Sequence, residues 1–391
     1  MNLYNLLALF ALALVLIFLT LRRVNLAVAL ASITVAYGIL TLRERILEVT
    51  CAALNADLVR LISAFVLAFF LAEFLRSAGV ADNIVKGLSS IDARLTCLAI
   101  PAIIGLIPIP GGALVSAVML RDHYNSMKFS PEQATFMNYW FRHIWVPSWP
   151  LFQSIILAAA VLSLKVVEVV EVTYVGTIAA LLGGVLVASP WLKASRQLIY
   201  AGNKRALLHL WPFILVALLV VLLKLGVVDA LLVVIIAVLM IYKPSKEALI
   251  KAVKFALNPT ILAAVFAVMV LKEYVVASGA AHNFASLALS LSMPAEMLVF
   301  IVPFAVGSVL TNEFIFVGIT FPLLLPLITK QTLFWAYLGG YLGVLLSPVH
   351  LCLVLTAQHF NASIGKVYKY TIPAVALTIA LAYVIRHLLA A

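Results

Sequence analysis

The sequence predicts an all-α polytopic membrane protein made of two inverted-topology repeats. Three observations carry this expectation. Of the 391 residues, 65% are hydrophobic and 10% charged, whereas a soluble chain carries about 25% charged residues. Apolar stretches of roughly 18 residues recur along the chain, each enough to span about 30 Å of hydrocarbon. They lack the period-2 alternation of a membrane barrel, so helices are expected. Finally, polar and turn residues of the first half return in the same order about 200 positions later.

In chain order, full spans are expected near 3–21, 24–42, 58–77, 131–163, 169–189, 207–224, 227–242, 259–277, 330–361 and 369–390. The first lacks a basic segment before it and a small-residue cleavage site after it, and Arg22 and Arg23 follow. It reads as a retained helix. The spans 131–163 and 330–361 are too long for one straight helix, and Pro147, Pro150 and Pro348 lie within them. Proline removes a backbone donor and clashes with the preceding turn, so both spans should break. Two more apolar stretches are interrupted midway, 94–122 by Pro108-Ile-Pro-Gly-Gly112 and 296–329 by Thr311-Asn-Glu313. Each half is too short to span, so both read as re-entrant hairpins. Segments 81–91 and 281–292 are expected along the membrane surface.

The repeat rests on residues that rarely match by chance in apolar sequence. Leu71, Glu73, Gly79, Ala81 and Asn83 return as Leu271, Glu273, Gly279, Ala281 and Asn283. Ala53-Leu-Asn55 returns as Ala256-Leu-Asn258, and Pro101 and Gly105 as Pro303 and Gly307. Gln133, Phe136, Tyr139, Val146 and Pro150 return as Gln331, Phe334, Tyr337, Val344 and Pro348. The expected organisation is an N-terminal repeat at 1–190, a cytoplasmic linker at 191–206 and a C-terminal repeat at 207–391. Five full crossings and one hairpin per repeat make the second copy enter from the opposite face.

The formal net charge is +11. Because the basic residues sit in short loops between apolar spans, they report orientation and not nucleic-acid binding. Seventeen Lys and Arg fall on one side of this topology and eight on the other, with Arg142 inside a span. The positive-inside rule puts the richer side in the cytoplasm and both termini outside the cytoplasmic membrane. The first hairpin then opens from the cytoplasm and the second from outside. Cys51, Cys97 and Cys352 have no CxxC spacing, so apolar packing is expected of each, with neither a disulfide framework nor a metal site.

Polar groups inside lipid are costly without a partner or a purpose. Asn138, Arg142 and His143 lie in the first half of one broken span. Ser148 and Ser347 sit at the two breaks, and His350, Thr356 and Gln358 follow the second. Gly111 and Gly112 form the first hairpin tip; Thr311, Asn312 and Glu313 form the second. Helix N-termini exposed at a break suit anionic groups, and unwound carbonyls with Ser, Thr and Asn oxygens suit Na⁺. Each group also has a structural reading: Arg142 paired with Glu313, His143 and His350 in helix packing, the glycines serving a tight turn. Glu73 and Glu273 lie near span ends and are expected to fix the fold. Gly339, Gly340 and Gly343 are expected to let helices approach closely.

Two repeats, each with a hairpin and a proline-broken span, resemble the ion-transporter superfamily of anion carriers, which includes carriers of gluconate, C4-dicarboxylates and citrate. Within it, Asn138-Tyr-Trp-Phe-Arg-His-Ile-Trp145 and Trp149-Pro150-Leu151 resemble an archaeal and bacterial membrane family of unknown function. The resemblance implies an elevator-type carrier, with a scaffold domain that holds a homodimer and a transport domain of hairpins and broken spans. In the dicarboxylate branch, Ser-Asn-Thr motifs at tips and breaks bind Na⁺ and carboxylate. Thr311, Asn312, Ser148 and Ser347 carry over as candidate Na⁺ ligands. The first tip, Pro-Ile-Pro-Gly-Gly, and Glu313 depart from that pattern.

The leading expectation is a secondary active transporter for a small organic anion, coupled to Na⁺ or H⁺, with no other cofactor. Arg142 is the candidate carboxylate partner. The alternative is a cation/proton antiporter in which Glu313 and a histidine carry the proton. An intramembrane enzyme is the remote third reading, since the chain has no HExxH, no GxSxG and no embedded aspartate pair. It also has no Walker motif.

Overall fold

Lipid offers backbone groups no hydrogen-bond partner, so the apolar runs must satisfy their own amides as helices. The computed structural model describes residues 3–22, 24–88, 92–107, 112–194, 204–290 and 293–390. In the first half, α1 (Leu3–Leu21) and α2 (Leu26–Thr41) precede a 3₁₀ turn and the short α3 (Ile46–Ala52). There follow α4 (Ala56–Ser77), α5 (Val80–Leu88), α6 (Ala93–Gly105), α7 (Gly112–Ser126), α8 (Pro131–Arg142), α9 (Gln153–Val161) and α10 (Val166–Ala194). The second half opens with a 3₁₀ segment, Lys204–Leu210, then α11 (Trp211–Ala217) running into a π-turn, α12 (Val227–Tyr242), α13 (Lys246–Ala256) and α14 (Pro259–Ala277). It closes with α15 (Ala280–Ser290), α16 (Ala295–Gly307), α17 (Glu313–Leu324), α18 (Thr332–Leu346), α19 (Leu351–Phe360) and α20 (Ile364–Ala390). No strand occurs among the described residues.

Seven segments among the described residues are long and apolar enough to cross a membrane, including 4–21, 56–77, 166–193 and 364–389. Large apolar side chains such as Leu7, Leu14, Phe18, Leu222, Leu388 and Leu389 stay exposed. In water that surface would be prohibitive, and in lipid it is the expected one. The chain is an integral membrane protein. α2 and α12, at 16 residues each, are shorter than those seven. α3 and α13 were not anticipated, and the linker expected at 191–206 is described only in part, since 195–203 lie outside the described residues.

Polar residues set the helix starts. Asn25 Oδ1 accepts from the Ala27 amide at 3.0 Å, and Asn258 Oδ1 from the Thr260 amide at 3.0 Å. Asn55 Oδ1 accepts from the Leu58 amide at 3.1 Å, so both copies of Ala-Leu-Asn stand at the start of a helix. Ser130 and Gln133 form a reciprocal capping box at α8, and Asn312 caps α17. Such caps are each worth about 1 kcal/mol.

The interrupted stretches fold as pairs of short helices, α6 with α7 and α16 with α17, packed against one another. At 13, 15, 13 and 12 residues, none reaches about 30 Å at 1.5 Å per residue. Pro147 disfavours a helical turn across residue 143, and α8 ends at Arg142. At the second break, Ser347 is extended, with φ −68° and ψ 122°, the conformation a following proline favours.

The helices gather into two compact units, each discontinuous in sequence: 1–66, 153–172 and 257–349 in the first, 67–152, 173–256 and 350–391 in the second. In the first unit, α2 packs on α14, α9 on α17, and α16 on α18. In the second, α8 packs on α6, α7, α19 and α20.

Gly79 and Gly279 both adopt the left-handed conformation, with φ +68° and +74°. No heavy atom would crowd a Cβ at either position, so backbone strain is the whole cost of a side chain there. Alanine at either site is expected to destabilise the protein by about 1–2 kcal/mol, read as a lowered melting temperature in detergent. A rise on either substitution contradicts the strain argument.

Candidate functional site

The second unit brings together residues from the hairpin and from both broken spans. α8 supplies Asn138, Tyr139 and Arg142; His143 is its C-cap. His350 is the N-cap of α19, which also carries Cys352 and Thr356. Asn138, Arg142, His143, His350 and Thr356 are all buried.

Asn138 ties three elements. Its Nδ2 donates to the Ala113 carbonyl of α7 at 2.9 Å and to Thr356 Oγ1 of α19 at 3.2 Å. Its Oδ1, also buried, has no hydrogen-bond partner among the described residues. A buried acceptor without a donor costs about 1–3 kcal/mol, which a bound ligand or water could recover. His143 Nδ1 lies 2.6 Å from the Tyr139 carbonyl. A carbonyl only accepts, so Nδ1 carries the proton and Nε2 is the basic nitrogen. The His143 and His350 rings meet edge to face with centroids 4.9 Å apart, and Tyr139 lies 5.3 Å from His350. The ligand atoms of His143, His350 and Cys352 all lie within 4.8 Å of one another.

Close backbone contact fixes this geometry. A Cβ on Gly105 would strike the Arg142 carbonyl oxygen, so only glycine lets α6 lie against the end of α8. Trp140 Nε1 donates to the Ala180 carbonyl at 2.9 Å, anchoring α8 to α10. In the first break, Thr177 donates to Ser148 Oγ at 2.7 Å and Thr173 to the Pro147 carbonyl. Gly112 is buried at the start of α7; Gly111 lies outside the described residues.

The remaining candidates belong to the first unit. Thr311 precedes Asn312, whose Oδ1 accepts from the Ile315 amide at 3.3 Å. Glu313 opens α17. Tyr337 hydrogen-bonds Ser154 at 2.7 Å. Ser347 is fully buried, and its Oγ has no hydrogen-bond partner among the described residues. Of the four candidate Na⁺ ligands, Ser148 therefore lies in the second unit and Thr311, Asn312 and Ser347 in the first.

Sequence spacing missed Cys352. It stands two residues after His350, but its other neighbour, His143, comes from a helix in the opposite half of the chain. The His-x-Cys at the second break was the available signal.

The family described as "Protein of unknown function (DUF401)" matches residues 2–389. The chain belongs to the DUF401 family. No curated protein matches its sequence. Among solved structures, this DUF401 chain is similar to the YdaH transporter of Alcanivorax borkumensis, whose crystal structure is described as revealing an unusual topology. The similarity has a TM-score of 0.58 at 12% identity and covers 96% of this chain and 98% of that one. At that identity the two share a fold.

Proposed function

We propose that this DUF401 protein is a secondary active transporter moving a small organic anion across the cytoplasmic membrane, coupled to Na⁺ or H⁺. The observation that carries the reading is a pair of helical hairpins and a pair of broken helices in a fold shared, nearly end to end, with a transporter. Broken helices expose the N–H and C=O groups from which substrate and ion sites are made. Arg142, with Asn138, His143 and His350 nearby in the second unit, is the candidate carboxylate site.

The reading includes two inverted repeats, at 1–190 and 207–391, and an elevator mechanism in a homodimer with both termini outside. Several features favour the repeat. α4 to α10 have counterparts in α14 to α20, in the same order and of matching type. The left-handed glycines, the helix-initial asparagines, and the prolines inside α6 and α16 recur in register. A shift of about 200 residues also exchanges the two compact units: 67–152 falls largely on the 257–349 segment of the other, and 153–172 on 350–391. That exchange is what two repeats, each divided between both units, produce.

The test is uptake by proteoliposomes. Radiolabelled organic acids are offered under an imposed Na⁺ gradient, an imposed pH gradient, or neither, after a thermal-shift screen has picked the acids that stabilise the protein. Gradient-dependent accumulation of an anion is expected. Cation exchange for protons with no anion stabilising or entering would replace this reading with an antiporter.

A further inference from the structure

The geometry points to a metal site: a single zinc-class divalent cation held by His143, His350 and Cys352, all within the second unit. Two imidazoles and a thiol form a borderline-to-soft donor set, which suits zinc, cobalt or copper and not Na⁺ or Mg²⁺. Their ligand atoms already lie within 4.8 Å of one another. A tetrahedral zinc site separates its ligand atoms by about 3.3–3.8 Å, so small side-chain rotations close it.

The outer contacts match as well. Metal-bound histidines commonly give their other ring N–H to a carbonyl, which fixes the tautomer. His143 Nδ1 already donates to the Tyr139 carbonyl at 2.6 Å, which makes Nε2 the metal-facing nitrogen. Tyr139 packs edge to face on both His143 and His350 and so orients both rings. His143 and His350 are buried, and Cys352 is half-buried.

Charge fixes what fills the fourth position. Binding releases the Cys352 thiol proton to solvent, and a dication on one thiolate keeps one net positive charge. That charge, in a low-dielectric interior, favours an anion as fourth ligand. An incoming carboxylate would thus make the site neutral. The metal site stands without the transport reading, and only its link to a carboxylate rests on that reading.

The test uses the full-length protein in detergent, stripped with chelator and titrated with Co²⁺ alone. One equivalent per chain is expected, with a thiolate-to-cobalt charge-transfer band that Zn²⁺ abolishes by displacement. Cys352→Ser should lose the band and His350→Ala should weaken binding at least tenfold. Absence of a thiolate band, or binding unchanged in both variants, overturns the site. A second measurement serves if either variant fails to fold. In a Cys51→Ala, Cys97→Ala background, Zn²⁺ at ten times its dissociation constant should slow maleimide labelling of Cys352 about tenfold. An unchanged labelling rate also overturns it. Metal binding without anion uptake leaves this site standing and removes only the transport reading.

Discussion

Gly343→Ala is expected to lower the stability of the protein by about 3 kcal/mol, or to prevent its folding, although it adds one methyl group. α18 presents Gly339 and Gly343, one turn apart, to Phe300 and Phe304, one turn apart on α16. A Cβ on either glycine would overlap the backbone carbonyl of the facing phenylalanine. Neither carbonyl can swing away, because each belongs to a helical backbone. Gly340 is closed off on another side by the Phe316 ring. Without a hydrophobic drive between helices in lipid, such close backbone packing is the main source of association. Gly365→Ala is the control: only Ser363 Oγ, at 3.9 Å, would touch the added carbon. Melting temperatures in detergent should fall sharply for Gly343→Ala and stay unchanged for Gly365→Ala. Equal melting of the two would mean that α16 and α18 are not in backbone contact.

Arg142→Lys is expected to leave the protein folded and to weaken anion binding about ten- to a hundredfold. Arg142 is 5% exposed and ends α8 at the first break. A guanidinium so placed in a membrane protein carries a cost that an anion offsets, and its fork binds both carboxylate oxygens at once. Lysine keeps the charge and loses the fork. A charge-assisted hydrogen bond contributes about 1.5–3 kcal/mol, which sets the expected loss. The measurement is the ligand-induced thermal shift for the variant against the parent, at matched ligand. Undiminished binding would take Arg142 out of the anion site. Loss of folding in Arg142→Ala that Glu313→Gln restores would favour the structural ion pair.

Much of the helical order was legible because its signals are local. Apolar runs gave helices; the caps that Asn25, Asn258 and Asn312 place at their starts were not anticipated. Proline was a weaker guide. Pro147 and Pro348 stand at breaks, whereas Pro101, Pro190, Pro303, Pro322 and Pro373 lie inside helices. What distinguishes a tolerated proline is whether neighbouring groups re-satisfy the freed carbonyl, and that is a tertiary property. α3 and α13 were missed because 7 and 11 residues, carrying charged residues such as Glu48, Lys251 and Lys254, look like loop beside long apolar spans. The cluster of His143, His350 and Cys352 was half legible: the histidines drew notice as embedded polar groups, while Cys352 looked like any apolar filler. Only folding brings α19 against α8.

The discontinuous make-up of the first unit has a consequence for biosynthesis. Tyr37 of α2 hydrogen-bonds Ser278 at 2.7 Å, across 241 residues of chain. Asn5 donates to the Ser278 carbonyl, and Thr34 to the Ala267 carbonyl. At about 5–20 residues per second of translation, these groups are made roughly ten seconds to a minute before their partners. Through that interval the Asn5 and Thr34 side chains await α14, while the Tyr37 hydroxyl can donate to the Asn5 carbonyl of α1 at 3.4 Å. The Asn5 and Thr34 side chains each carry an unmet polar group into the bilayer for that time. Thr34→Val, which removes a waiting hydroxyl, would trade native hydrogen bonding for an easier passage into the bilayer.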